Sequence, residues 1–252
     1  MKTSVCIDAV FRGVDMVDAV RQVKSAGVDT IEFWCWWEKH NLEQVRACCD
    51  ELGVEIYAMC TPFVSLCNPS LRQTFLDRLD ESLMLCRKMR VPNVIAQVGA
   101  DTGEDRAEQT GSIIAGLNAA RELCSAAGVT CLVEPLNQHD HAGCFLSHAA
   151  EAFDIVRQVD SPYIKVLYDI YHQQRTEGEV IPTMLQNLQY IGHLHAAGAP
   201  MRQEPYRGEP DYKQVVRALE QSGYTGFFGL EYFPSVDVCE SLSKTLAFLQ
   251  LI

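Results

Sequence analysis

The sequence holds no run of apolar residues long enough to cross a bilayer, which excludes a membrane-spanning helix, and no membrane partner is expected. It has no Pro-, Ser- or Gly-rich linker and no low-complexity segment, so residues 1–252 are expected to fold as one domain. A glycine-rich first turn is also missing. The stretch Asp8-Ala9-Val10-Phe11-Arg12-Gly13 carries a single glycine where a dinucleotide-binding fingerprint would need several. Positive charge is scarce, with 21 Lys and Arg against 33 Asp and Glu and a net charge of −12. A nucleic-acid binder needs a basic face, and these scattered residues do not form one. The N-terminus lacks the apolar core and cleavage site of a signal peptide, so the chain is expected in the cytoplasm.

Cysteine, by contrast, is abundant, with eleven residues. Cys6, Cys60 and Cys131 lie in expected strands, and Cys48, Cys49, Cys86 and Cys124 in expected helices. Without an export signal, thiols buried in apolar runs read as reduced core residues and not as a disulfide framework. The adjacent Cys48-Cys49 pair cannot chelate zinc in the usual spaced pattern.

Short runs rich in Val, Ile, Phe, Tyr and Leu alternate with amphipathic segments along the whole chain. Strands are expected at 4–8, 30–34, 55–60, 93–98, 130–136, 164–170, 191–197 and 226–232. Helices are expected at 14–26, 42–52, 71–89, 105–127, 148–158, 183–188, 212–221 and 238–249. Gly27, Gly53, Gly128 and Gly223 each stand where a helix should stop before the next strand. Eight strand-then-helix units point to a closed (β/α)8 TIM barrel of the α/β class.

In such a barrel the site lies at the C-terminal ends of the strands. The last four expected strands end in Glu134, Asp169, His195 and Glu231. Successive strand ends are neighbours in space, so these side chains can converge on one point. A Glu, Asp, His, Glu set suits one divalent ion, Mn²⁺, Mg²⁺ or Co²⁺, with open positions for a substrate's adjacent oxygens. The plain alternative is that each carboxylate is a lone strand-end charge paired with a nearby Lys or Arg. Four in a row, each closing an apolar run where an unpaired charge is costly, weigh against it. Glu32, Trp34, Trp36 and Trp37 either wall the substrate site or pack in the core or against another subunit of a homo-oligomer. Glu204 and Arg207 either reach the site or stay solvated. His193 is expected on the side of the barrel wall opposite His195, in a structural role.

The segments Glu134-Pro135-Leu136-Asn137-Gln138-His139-Asp140, Tyr168-Asp169-Ile170-Tyr171-His172 and Gly229-Leu230-Glu231-Tyr232-Phe233-Pro234 resemble those of the hydroxypyruvate isomerase-like proteins. These belong to the xylose isomerase-like TIM-barrel superfamily, which also holds ketose 3-epimerases of the tagatose/psicose type and endonuclease IV. The resemblance covers most of the chain and is strongest from Thr130 to Pro234. It implies that Glu134, Asp169, His195 and Glu231 bind the metal and that the two glutamates exchange a proton with the substrate carbon. It further implies that Asp140, His172 and Arg202 contact the substrate. Three departures bear on the substrate. His195 stands where hydroxypyruvate isomerases commonly carry Gln and ketose epimerases His. The stretch Ala196–Arg202 lacks an acidic residue usual in both groups. The loop Thr61–Asn68 is short and without a Gly-Asp-Trp segment.

The expected activity is therefore metal-dependent isomerisation of a small hydroxy-carbonyl compound, hydroxypyruvate- or 2-oxo-tetronate-like, through an enediolate. Ketose 3-epimerisation is the alternative, and a non-catalytic sugar-binding barrel a further one. A nuclease is disfavoured by the net charge of −12.

Overall fold

Strand follows strand in chain order around a closed parallel barrel in the computed structural model. The structure describes residues 1–249, so the last three residues of the expected 1–252 unit lie outside the described residues. The strands are β1 (Lys2–Cys6), β2 (Thr30–Phe33), β3 (Glu55–Cys60), β4 (Asn93–Ala96), β5 (Thr130–Val133), β6 (Ile164–Asp169), β7 (Ile191–Ala196) and β8 (Phe227–Leu230). Each pairs with the next, and β8 closes onto β1 with Ser4 opposite Gly229.

The helices form the outer ring, and their starts and stops are local chemistry. Asp15 caps Met16–Ser25 and Asp105 caps Arg106–Ala127, each accepting backbone N–H bonds of the first turn. Gly53 and Gly128 end their helices in the left-handed conformation that glycine adopts without penalty. One core fills the space between helices and sheet, and a smaller one of Ala58, Cys60, Ile95, Leu132 and Leu167 fills the barrel itself. No described helix is long and apolar enough to cross a membrane.

The structure departs from the expected boundaries mainly at the rim. Three strands stop two residues before the apolar run does, at Cys6, Ala96 and Leu230, and β5 stops three before it, at Val133. Beyond those points the backbone leaves the ladder while apolar side chains continue into the rim. Asp8, expected to end the first strand, lies instead in a one-turn helix, Ile7–Val10. There it accepts a 2.7 Å bond from the Trp34 amide and pairs with Lys39. A helix at Ile170–Thr176 was not expected, because Ile170 and Tyr171 read as a continuation of the strand. The helix expected at 183–188 starts earlier, spanning Val180–Gln186.

Candidate active site

Asp169 and His195 close β6 and β7 from within the strands, and Glu134 and Glu231 follow directly after β5 and β8. All four are buried, and one donor atom from each lies within 4.8 Å of the others. Such a set of three carboxylates and an imidazole could hold one divalent cation. Two of the groups have atoms with nothing else to do. Asp169 uses Oδ1 to cap Ile170–Thr176, accepting from the Tyr171 amide at 2.8 Å and the His172 amide at 3.4 Å. Its Oδ2 is buried without a hydrogen-bond partner, and so is His195 Nδ1. Unsatisfied polar atoms of this kind are costly unless a ligand completes them.

A cavity of about 190 Å³ opens over the cluster. Trp34, Phe63, Ile95 and Leu136 give it apolar walls, and Gln97, His141, His172 and Arg202 polar ones. The Trp34 indole donates to Glu231 Oε1 at 2.6 Å. Phe63 is 56% exposed at the mouth and stacks edge-on against Trp37. Trp36 turns away to donate to Ser82 Oγ.

His172, in the first turn of the unexpected helix, is oriented by Asn137. The Asn137 amide donates to His172 Nδ1 at 3.2 Å, which leaves the ring proton on Nε2. Nε2 has no hydrogen-bond partner and sits 3.5 Å from Asp169 Oδ2. Burial, then the Arg202 charge, holds His172 well below the ordinary imidazole range, so the ring is neutral. Arg202 reaches the cluster from the loop after β7, touching Glu231 Oε2 and lying 3.6 Å from Asp169 Oδ2. Its guanidinium rests between the rings of Tyr171 and Phe233. Asp140 is not brought to the cavity. Its carboxylate accepts from the Tyr171 hydroxyl at 2.6 Å and from Asn137 at 2.9 Å, with Arg175 at 3.6 Å.

The two glutamates are driven apart in acidity. Burial, then the Glu231 charge, pushes Glu134 up to about 8. Burial would raise Glu231 as well, but His195 and Arg202 hold it far below the ordinary carboxylate range. Burial pushes Asp169 up to about 6 against the pull of Arg202.

His193 is a correction. Residues two apart on a strand share a face, so His193 and His195 both point into the barrel. Both reach Glu32, His193 Nε2 at 3.1 Å and His195 Nε2 at 2.8 Å. Glu204 does not reach the cavity. It is buried and accepts from the Ser235 amide at 2.9 Å and from the Ser235 and Ser241 hydroxyls at 2.8 Å each. Arg207 stays half-exposed beside it at 3.5 Å. Asn137 stood in the sequence as a motif residue without a role, and Glu32 only as a candidate wall of the substrate site or packing residue. Only their contacts across the barrel reveal what they hold.

Residues 20–250 match the sequence profile described as xylose isomerase-like TIM barrel. The chain belongs to that family. It is similar to the hydroxypyruvate isomerase of Escherichia coli, with 32% identity over 67% of this chain and 66% of that one. It is also similar to the 2-oxo-tetronate isomerase of Cupriavidus necator, with 36% identity over 52% of this chain and 50% of that one. The matched stretch thus falls short of two thirds of either relative's own length. Among solved structures, the AP endonuclease, family 2, from Brucella melitensis superposes with a TM-score of 0.92 at 25% identity, covering 98% of both chains. D-psicose 3-epimerase from Clostridium cellulolyticum superposes with a TM-score of 0.85 at 19% identity, over 99% of this chain and 98% of that one, a likeness of fold alone.

Proposed function

We propose that this chain is a divalent-metal-dependent isomerase acting on a small hydroxy-carbonyl compound of the hydroxypyruvate or 2-oxo-tetronate kind. In this reading Glu134, Asp169, His195 and Glu231 hold the metal, and Glu134 and Glu231 carry the proton. The observation behind it is the buried convergence of the four donor groups beneath a cavity, with Asp169 Oδ2 and His195 Nδ1 left unpartnered. The names of the relatives from Escherichia coli and Cupriavidus necator support the reaction class.

When bound, a divalent cation supplies electrophilic stabilisation of the charge that develops on a carbonyl oxygen as the neighbouring carbon loses its proton. The chain's own residues set up the proton transfer. Glu231, kept ionised by His195 and Arg202, is the acceptor, and Glu134, which a bound cation would also keep ionised, passes the proton through its free oxygen. His172 offers an Nε2 proton to a substrate oxygen, fixed by Asn137. Arg202 anchors a second oxygen from the loop after β7. Trp34, Ile95 and Leu136 keep water from the reacting carbon. Asp140 takes no direct part, since Tyr171 and Asn137 hold its carboxylate. Ketose 3-epimerisation is the second reading, favoured by His195 at the position the epimerases share.

The test is a screen of Mn²⁺-loaded protein against hydroxypyruvate, 2-oxo-tetronates and free ketoses, reading products and solvent deuterium uptake by NMR. Glu134→Gln and Glu231→Gln should each lose about 10²–10⁴ in turnover, the scale of a lost general acid or base. Full activity after metal stripping would refute the metal. Wild-type deuterium exchange in both metal-loaded variants would refute the proton carriers. Absence of exchange with every compound would leave a non-catalytic sugar-binding barrel.

A further inference from the structure

Beside the four converging groups lies a second buried cluster that shares His195 with them and adds two residues the proposed reaction does not use, Glu32 of β2 and His193 of β7. We propose that Glu32 is a positioning residue, which takes the Nε2 proton of His195 and thereby presents His195 Nδ1 to the metal site. The inference rests on the metal-binding reading above and adds to it a residue that contacts neither the metal nor the substrate cavity.

Three observations carry it. First, Glu32 is 1% exposed, and among the described residues no Lys or Arg pairs with it. A buried carboxylate without such a partner is expensive to keep unless its hydrogen bonds are well made. Its donors are the Ser4 hydroxyl at 2.7 Å and the two imidazoles. Second, the His195 contact has a direction. Nε2 lies 2.8 Å from Glu32 Oε2, while Nδ1 lies 3.3 Å from Glu231 Oε2 on the cavity side. A carboxylate can only accept, so the Nε2 proton stays on that side and Nδ1 is the nitrogen left to coordinate. Third, the barrel makes room for the arrangement. Gly229 of β8 lies beside this cluster, and a Cβ there would fall 2.6 Å from Glu32 Oε1, 2.7 Å from His195 Cδ2 and 2.8 Å from His193 Nε2. His193, braced edge-on by Tyr57, donates to Glu32 as well and keeps the carboxylate from turning away from His195.

The experiment has two arms. In protein labelled with ¹⁵N-histidine, long-range ¹H–¹⁵N spectra of metal-free and Zn²⁺-loaded samples report which nitrogen of His195 is protonated, with His195→Gln giving the assignment. Nε2 should carry a proton in both states, and Zn²⁺ should shift Nδ1 alone. In the second arm, calorimetric titration with Mn²⁺ should show Glu32→Gln binding about 10–100-fold more weakly than wild type, the usual effect of removing a carboxylate behind a ligating histidine. Zn²⁺ acting on Nε2 would overturn the proposal and assign a metal to the Glu32, His193 and His195 cluster instead. Unchanged Mn²⁺ affinity in folded Glu32→Gln would overturn it while leaving the metal site standing. Wild-type protein that binds neither ion would overturn the metal-binding reading and this inference together. Should Glu32→Gln fail to fold, the wild-type spectra decide.

Discussion

Replacing Glu134 by Gln probes the charge balance of the site without any substrate. In the metal-free chain the Glu134 carboxyl is moved from 4.5 to about 8 by burial and by Glu231. An acid raised on folding destabilises the fold as pH climbs. The loss begins at the unfolded value and is complete above the folded one, so the window runs from about pH 4.5 to 8. At pH 7 the carboxyl sits about 2.5 pH units above its unfolded value, a penalty of about 3 kcal/mol. Asp169, moved to about 6, adds a smaller loss of the same sign. Gln keeps the size of the side chain and cannot ionise. Metal-free Glu134→Gln should therefore be more stable than metal-free wild type at pH 7, by up to about 3 kcal/mol or roughly 6–12 °C in Tm for a chain of this length. The difference should shrink toward zero at pH 4.5. Thermal unfolding followed by circular dichroism after exhaustive chelation, at pH 4.5, 6, 7 and 8, measures it. A variant no more stable than wild type at pH 8, or a difference independent of pH, would refute the reasoning.

Three further outcomes are expected. Gly229→Ala should overpack the layer holding Glu32 and the two histidines, costing about 1–3 kcal/mol in urea unfolding and weakening Mn²⁺ binding. Mn²⁺ at a hundred times its dissociation constant should stabilise the wild type by about 2.7 kcal/mol, seen as a rise in Tm that EDTA reverses. Thiol titration of freshly prepared protein denatured without reductant should recover nearly all eleven cysteines. In native protein Cys239, the exposed one, should react first.

The barrel was legible because its strands are apolar on both faces and its helices are punctuated by glycine. The four converging groups were legible for a related reason: a charged residue closing an apolar strand has few bland explanations. Contacts across the barrel were not. Glu32 and His195 stand on strands that are not neighbours, and their meeting depends on Gly229 and on the register of two intervening strands. The helix carrying His172 was hidden because Ile170 and Tyr171 extend the apolar run of β6, while the signal that starts the helix is Asp169 itself, acting as cap and candidate ligand at once. The misplacement of His193 was an error of periodicity, since two positions along a strand return to the same face.

The buried carboxylate of Glu204 has a consequence for anyone reshaping the cavity. It ties the loop that carries Arg202 to the segment after Glu231 through Ser235 and Ser241. Grafting a new segment at 232–241 without 198–210 would leave the buried Glu204 charge without its three donors, and grafting 198–210 alone would take away the acceptor of the buried Ser241 hydroxyl. The two segments are one module for engineering, to be exchanged together or left alone, and chimeras that cut between them should misfold before they change specificity.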